Sequence, residues 1–267
     1  MSTYQGKNSN TASTKRGFYL LPNLLTSAAL FSGFYAIIAA FQGNYQKAAI
    51  GILIAGIFDG LDGRVARLTN TTSRFGVEYD SLSDLIAFGV APGLLAYAWG
   101  LQAYGRLGWI AAFLYVGTTA LRLARFNTLS ASSSNKAYFL GLPCPSAAAM
   151  VASSVLICHH FGIYGPVKHV FVLAMIYILS FLMVSTVRYF SFKEFPWFQR
   201  HPFSSMVGVI LAIAIIAMEP KITLFLLVSA YVVSGPAIIT IKFLKKPIAK
   251  LKNRKEPSNI RSTTHGK

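Results

Sequence analysis

The stretch DGLDGRVARLTNTTSRFGVEYDSLSD runs from Asp59 to Asp84 and contains all four aspartates of the chain. Five of the eight acidic residues in the 267-residue sequence lie within it. The chain as a whole is 54% hydrophobic and carries a formal net charge of +17. So dense an acidic cluster in an apolar, basic chain indicates that these aspartates share one chemical task.

The composition of the whole chain is typical of a membrane protein. A mean hydropathy of +0.52 with 12% charged residues does not describe a soluble domain. Several apolar runs approach or exceed the roughly 20 residues that a helix needs to cross a bilayer. We therefore predict an all-α fold, a polytopic membrane helical bundle of about eight transmembrane helices. The predicted spans are 18–41, 45–66, 84–104, 107–124, 145–163, 168–187, 203–218 and 222–241.

The basic residues predict how this bundle is oriented. With eight spans, 21 of the 25 Lys and Arg residues fall on one side of the membrane. The positive-inside rule makes that side cytoplasmic, together with both termini and the aspartate cluster. The same bias explains the net charge, so we expect no nucleic-acid partner. A cytoplasmic N-terminal segment is predicted at 1–17, and a basic cytoplasmic tail at 242–267.

The spacing of the aspartates favours a metal site. Asp59 and Asp62 are three residues apart, and Asp80 and Asp84 are four apart, so each pair lies on one face of a helix. Oxygen ligands of this kind suit Mg²⁺, Mn²⁺ or Ca²⁺. Two divalent ions would balance four negative charges and attract an anionic substrate such as a phosphate ester. The alternative is ion pairing with the nearby arginines, namely Arg64, Arg67 and Arg74.

The pattern Asp59-x2-Asp62-Gly63-x2-Ala66-Arg67-x8-Gly76-x3-Asp80-x3-Asp84 resembles the signature of the CDP-alcohol phosphotransferases. These are integral membrane enzymes that transfer a substituted phosphate from a CDP-linked donor to an alcohol and release CMP. Further segments look like the phosphatidylserine synthase branch of the family: LPNLLTSAALFSG (21–33), DSLSDLIAFGVAPG (80–93), ALRLARFN (120–127), FLGLPCPSAA (139–148) and SFK (191–193). The resemblance covers residues 18–195, the predicted membrane domain and its first six helices, and leaves 196–241 as an additional helix pair.

The resemblance implies a phosphatidyl transfer from CDP-diacylglycerol to L-serine and a role for each residue of the site. Asp59, Asp62 and Asp80 would be the main ligands of Mg²⁺ or Mn²⁺, with two ions expected. Asp84 would complete the metal site and act as the general base. Contacts with CDP-diacylglycerol are expected from Asn23, Thr26, Gly63, Ala66, Arg67, Ser73 and Gly76.

Two of the remaining assignments have competing explanations. Arg122 and Arg125 are candidates for binding the serine carboxylate, although positive-inside bias explains either arginine equally well. Ser73 could touch the nucleotide or could simply be a turn serine. The resemblance also implies a homodimer, and a prokaryotic inner membrane is expected by analogy.

Other functions are compatible with the same residues. Within the family, the acceptor could instead be glycerol 3-phosphate or inositol phosphate. From a different class, a divalent-cation transporter would also place carboxylates in membrane helices. A transporter usually carries its site near the midplane and shows repeat symmetry, whereas these aspartates lie at one boundary.

Overall fold

Helices account for nearly all of the described chain. The computed structural model of the protein describes residues 10–69, 73–130, 138–164, 170–190 and 219–252. The helices are α1 (Asn10–Phe41), α2 (Tyr45–Leu68), α3 (Arg74–Asp84), α4 (Ala91–Ala96), α5 (Arg106–Ser130), α6 (Cys144–His160), α7 (Val170–Val184) and α8 (Pro220–Lys252).

One continuous helical rod contains α3 and extends well beyond its aspartates. Two π-helical segments, Leu85–Val90 and Tyr97–Leu101, and a 3₁₀ turn at Gln102–Tyr104 join α3 and α4 into one span from Arg74 to Tyr104. π-Helical turns are rare and occur frequently at functional sites. The first of them begins directly after Asp84, so it sets the direction in which the rod leaves the aspartate cluster.

One short β-ribbon departs from the predicted all-α fold. Strands β1 (Tyr138–Leu140) and β2 (Arg188–Phe190) pair antiparallel, with Phe139 opposite Tyr189. The ribbon joins the segment before α6 to the segment after α7. A three-residue strand is too short to produce a recognisable period-2 pattern, which is why the sequence did not reveal it.

The membrane character of the fold is clear, while the number of spans stays a prediction. Within the described residues, four helical segments are long and apolar enough to cross a bilayer: Leu21–Phe41, Arg74–Tyr104, Arg106–Thr128 and Pro220–Ile238. The apolar helices α6 and α7 are shorter, with 17 and 15 residues. Helices occupy seven of the eight predicted spans, and the span predicted at 203–218 lies outside the described residues.

Several helices are longer than the apolar runs that predicted them. The first begins at Asn10 instead of 18, and the last continues to Lys252, into the predicted basic tail. The third predicted span began at 84, whereas the helix starts at Arg74. Hydropathy detects only the part of a helix that lies in hydrocarbon, so polar turns at the helix ends escape it.

Small residues let the helices around the site approach closely. Alanines on facing sides of α1 and α2, such as Ala36 and Ala48, are fully buried. At Gly33 a Cβ would lie only 2.7 Å from the Cα of Ala87 in the first π-helical segment. Small residues at such crossings are characteristic of membrane helix packing. Gly33 therefore brings α1 against the rod just beyond Asp84.

Candidate active site

The aspartates lie near the C-terminal ends of two helices, α2 and α3. Asp59 and Asp62 lie in the last three turns of α2, and Asp80 and Asp84 lie in the last two turns of α3. Ser73 begins α3 as its N-cap. The Ser73 Oγ accepts a hydrogen bond of 3.0 Å from the backbone N–H of Gly76. Ser73 therefore holds the first turn of the helix that carries Asp80 and Asp84.

Three of the aspartates form a compact set of oxygen ligands. One carboxylate oxygen from each of Asp59, Asp62 and Asp80 lies within 4.8 Å of the other two. Asp62 is buried, and the other two are half-buried. Carboxylate oxygens are the ligands that Mg²⁺ and Mn²⁺ prefer. The donor set thus fits a divalent cation of the predicted kind.

Asp84 lies beside this set but is not a member of it. Its carboxyl group is hydrogen-bonded to that of Asp59. Two carboxyl groups in contact are stable only with a proton or a cation between them, because like charges repel strongly at this distance. The structure therefore separates three clustered ligands from a fourth carboxyl at their edge.

Arginine pairing does not neutralise these charges. Within the described part of the chain, no salt bridge joins any of the four aspartates to a basic residue. Arg64, Arg67 and Arg74 are all exposed. The ion-pair alternative is therefore wrong for the described structure, and a bound cation is left as the natural counter-charge for the cluster.

Hydrogen bonds with helix α1 position the aspartate ligands. The Thr26 hydroxyl donates a hydrogen bond of 2.7 Å to Oδ2 of Asp62 and also lies 3.1 Å from the carbonyl oxygen of Pro22. The Ser83 hydroxyl donates to the Thr26 carbonyl at 3.1 Å, which ties α3 to the same turn of α1. A hydrogen bond to a ligating carboxylate orients it, so Thr26 has a positioning role that the sequence did not suggest.

A cavity of about 220 Å³ opens beside the ligand set, between α1, α2 and α3. All seven residues predicted to contact the nucleotide-linked substrate line it. Its lining is Pro22, Asn23, Thr26, Asp62, Gly63, Ala66, Arg67, Ser73, Gly76, Val77 and Asp80. Ser73 therefore caps α3 and faces the cavity at once, so its two predicted roles are compatible.

The candidate acceptor-binding arginines lie on α5. The Asn127 side-chain amide donates a hydrogen bond of 2.9 Å to Oγ of Ser81, which fastens the end of α5 to α3 near Asp80 and Asp84. Arg122 and Arg125, both half-buried, lie five and two residues before Asn127 on the same helix. The structure thus brings both arginines to the same end of the bundle as the aspartates, although neither lines the 220 Å³ cavity.

Polar groups next to Arg122 were not identified from the sequence. Its Nη1 donates to the Cys144 Sγ at 3.5 Å. Tyr115, two turns earlier on the same helix, is fully buried. Among the described residues, neither the Tyr115 hydroxyl nor the Arg122 Nε has a hydrogen-bond partner. Only the spacing of 115 and 122, two helical turns apart, could have linked them beforehand.

The proteins that this chain resembles share one kind of name, and a family model matches most of the chain. The family model for CDP-alcohol phosphatidyltransferase matches residues 19–187. A CDP-diacylglycerol–serine O-phosphatidyltransferase of Helicobacter pylori (strain ATCC 700392 / 26695) is 40% identical over 238 residues, which cover 88% of this chain and 97% of the relative. An archaetidylserine synthase of Methanothermobacter thermautotrophicus is 37% identical over 174 residues, 64% of this chain and 70% of the relative. A CDP-diacylglycerol–serine O-phosphatidyltransferase of Saccharomyces cerevisiae is 43% identical over 134 residues, 45% of this chain and 48% of the relative.

Proposed function

The chain belongs to the CDP-alcohol phosphatidyltransferase family, and from this premise we propose that it transfers a phosphatidyl group from CDP-diacylglycerol to the hydroxyl of L-serine, releasing CMP. The names of its relatives support serine as the acceptor. The observation that carries the proposal is the single cavity lined by Asn23, Arg67, Gly76 and two of the ligand aspartates. Such a cavity would bring a diphosphate next to a cation site.

The carboxylates of Asp59, Asp62 and Asp80 hold a divalent cation in this proposal, Mg²⁺ or Mn²⁺, with two ions at the full site. A bound cation supplies positive charge that neutralises the diphosphate and stabilises the departing phosphate. Thr26 holds the Asp62 carboxylate in place through its 2.7 Å hydrogen bond. The chain thereby keeps its ligands in position before substrate arrives.

Arg67, Gly63 and Gly76 line the part of the cavity that binds CDP-diacylglycerol. The guanidinium of Arg67 lines the cavity and recognises an anion such as a diphosphate through paired hydrogen bonds. A Cβ on Gly63 would meet only the end of the Arg67 side chain, 3.9 Å away, so the wall here is open to a flat ligand. Ala66, Ser73 and Asn23 complete the surface for the cytidine.

Asp84 is the general base. As the serine oxygen attacks the phosphorus attached to diacylglycerol, a new P–O bond forms and the P–O bond to CMP breaks. The bonding electrons leave with CMP, and the serine hydroxyl proton passes to the Asp84 carboxylate. Its position at the edge of the ligand set supports this role, since a base must reach the acceptor as well as the site. Arg122 and Arg125 bind the serine carboxylate.

We further propose that the protein resides in a prokaryotic inner membrane as a homodimer, with its termini and active site cytoplasmic. The biased distribution of Lys and Arg supports this orientation. Exposed apolar side chains on α1, including Phe31 and Phe34, give the bundle a surface for lipid or for a second copy. A divalent-cation transporter is not favoured, because transport does not require a donor cavity beside the cluster.

The test is CMP release by purified protein from CDP-diacylglycerol with Mg²⁺ or Mn²⁺. L-Serine, glycerol 3-phosphate and inositol phosphate are added in separate reactions. We expect metal-dependent release with serine, reduced about 10²–10⁴-fold in Asp84→Asn, the range for loss of a general base. Glu78→Gln is the matched control, since Glu78 is an exposed acid on the same helix.

The possible results discriminate between the alternatives. Release with glycerol 3-phosphate or inositol phosphate in place of serine would overturn the acceptor assignment and leave the family reaction intact. Equal loss in Glu78→Gln and Asp84→Asn would contradict the role of Asp84 as the base. No release with any acceptor, from folded protein, would overturn the proposed function.

A further inference from the structure

Two hydrogen-bonding contacts tie α3 to α1. The Ser83 hydroxyl, which is buried, donates to the Thr26 carbonyl at 3.1 Å. One turn earlier, the Tyr79 and Ser27 hydroxyls are hydrogen-bonded to each other at 2.8 Å. Residues four apart share one face of a helix, so positions 79 and 83 define the face of α3 that is turned towards α1.

A different face of α3 is tied to α5. The Asn127 side-chain amide donates a hydrogen bond of 2.9 Å to Oγ of Ser81, and both residues are half-buried. At about 100° per residue, Ser81 lies roughly 180° around the helix from the face that meets α1. Asp80 and Asp84 lie between these two faces. Hydrogen bonds on both sides of the acidic face therefore fix the rotation of α3 about its axis.

The bond from Asn127 lies at one end of a tightly packed seam between α5 and the rod that contains α3. A Cβ on Gly93 of the rod would lie 3.1 Å from Cγ2 of Val116, and one on Gly89 would lie 3.1 Å from Cγ2 of Thr119. Positions fall along the rod as they rise along α5, so the two elements run antiparallel. Glycine permits this close approach. The glycine contacts set the separation of the two elements, and Asn127 fixes the end that carries the aspartates.

We propose that Asn127 is a positioning residue for the transfer step, because its bond to Ser81 holds Asp84 in register with the helix that binds the acceptor. α3 carries Asp84, and α5 carries Arg122 five residues before Asn127. The bond therefore joins the element of the base directly to the element of the acceptor contacts. The inference rests on the proposed function, in which Asp84 takes the acceptor proton and α5 binds the acceptor.

The test removes this bond from each side in turn. Asn127→Ala deletes the donor, and Ser81→Ala deletes the acceptor. Each variant should lower kcat/KM for L-serine about 10-fold or more, since small displacements of reacting groups are costly. Because both changes remove the same bond, the double variant should lose no more than either single variant. The KM for CDP-diacylglycerol and the Mg²⁺ concentration for half-maximal CMP release should change less than about twofold, since the ties to α1 remain.

Three further variants serve as controls. Ser81→Thr keeps the hydroxyl that accepts the bond, so it should retain most of the serine kinetics. Tyr79→Phe loosens α3 on its α1 side instead, and its effect should fall on the KM for CDP-diacylglycerol. Thr118→Val is the matched control on α5, because the Thr118 hydroxyl donates to the Tyr115 carbonyl of its own helix.

A purely structural role for Asn127 predicts that Asn127→Ala and Tyr79→Phe impair serine, donor and metal dependence alike, and that result would overturn the inference. Additive losses in the double variant, or unchanged serine kinetics in Asn127→Ala, would also contradict it. If Asn127→Ala does not fold, Ser81→Ala still removes the bond, and alanine is a good helix former.

Failure of the proposed function is recognised in the wild-type reactions. Wild-type protein that releases CMP only with another acceptor would refute the serine assignment. The same variants measured with that acceptor would then confirm or overturn the role of Asn127. No release with any acceptor would overturn the proposed function and the inference together.

Discussion

At the scale of single residues, Thr26 shows how a side chain can serve a site through a neighbour. The sequence placed it near the nucleotide, and it does line the donor cavity. Its hydroxyl, however, is directed at the Asp62 carboxylate, at a short 2.7 Å. Hydrogen bonds of this kind fix the orientation of a metal ligand, and losing one typically lowers metal affinity by about 10–100-fold. Thr26 is therefore expected to influence the cation more than the nucleotide.

Replacement of Thr26 by valine removes the hydroxyl and keeps the shape. We expect the Mg²⁺ or Mn²⁺ concentration for half-maximal CMP release to rise about 10-fold or more. Activity should largely recover at high metal concentration. Ser32→Ala on the same helix is the control, because the Ser32 hydroxyl donates only to the carbonyl of Ala28 in its own helix. A rise in the KM for CDP-diacylglycerol with unchanged metal dependence would show that Thr26 acts on the nucleotide instead.

At the scale of an element, the beginning of α3 decides where two aspartates lie. Asp80 is seven residues, about two turns, beyond the Ser73 cap, so the start of the helix sets the rotation of its acidic face. Apolar patterning gives little information here, because α3 is short and polar. The N-cap serine is the local signal that begins the helix. Ser73 thus both caps the start of α3 and lines the donor cavity.

Ser73→Asp separates the two roles of this residue. Aspartate is as good an N-cap as serine, so the free energy of unfolding should change little. A negative charge facing the diphosphate should nevertheless raise the KM for CDP-diacylglycerol severalfold. Ser73→Ala should do the reverse, costing about 1 kcal/mol of stability with a smaller effect on KM. Thermal unfolding in detergent and donor kinetics measure the two effects, and matching KM values in both variants would exclude a contact with the donor.

At the scale of the whole molecule, the site places negative charge inside a basic membrane protein. Three half-buried or buried carboxylates cluster in the described structure without a cationic side chain paired to them. Such clusters destabilise a fold until a cation binds, because the charges repel in a medium that screens them poorly. Retaining them is a typical compromise between stability and function.

Asp80→Asn tests this compromise. In the presence of a chelator, the variant should unfold about 2–4 °C above the wild-type protein, the shift expected from roughly 1 kcal/mol of relieved repulsion. Mg²⁺ or Mn²⁺ should raise the unfolding midpoint of the wild-type protein and have little effect on the variant. CMP release should be lost in the variant. Glu78→Gln serves again as the exposed control, and a variant less stable than wild type in chelator would contradict the repulsion argument.

Features set by residues close together in the sequence could be predicted, whereas contacts between residues distant in the sequence could not. Asp59 and Asp62, and likewise Asp80 and Asp84, were predictable as pairs because helical spacing is a local property. Seven of the residues that line the cavity were predictable as a set through a family resemblance, and the family itself is confirmed. The contacts of Arg122 with Cys144 and of Thr26 with Asp62 join residues 22 and 36 positions apart, and no local pattern encodes them.

The sequence by itself determined the membrane character of the protein, the positions of most helices and the presence of an aspartate site, since composition and short-range periodicity suffice for these. Only the tertiary structure decided that Asp84 lies outside the three-carboxylate set, that Thr26 supports Asp62 and that Tyr189 of β2 bonds to α8 at Val232. These features depend on how far apart helices pack and how they are rotated. Close contacts between distant segments, such as Gly33 against Ala87 and Gly235 against Tyr189, set those distances and rotations, and they exist only once the chain has folded.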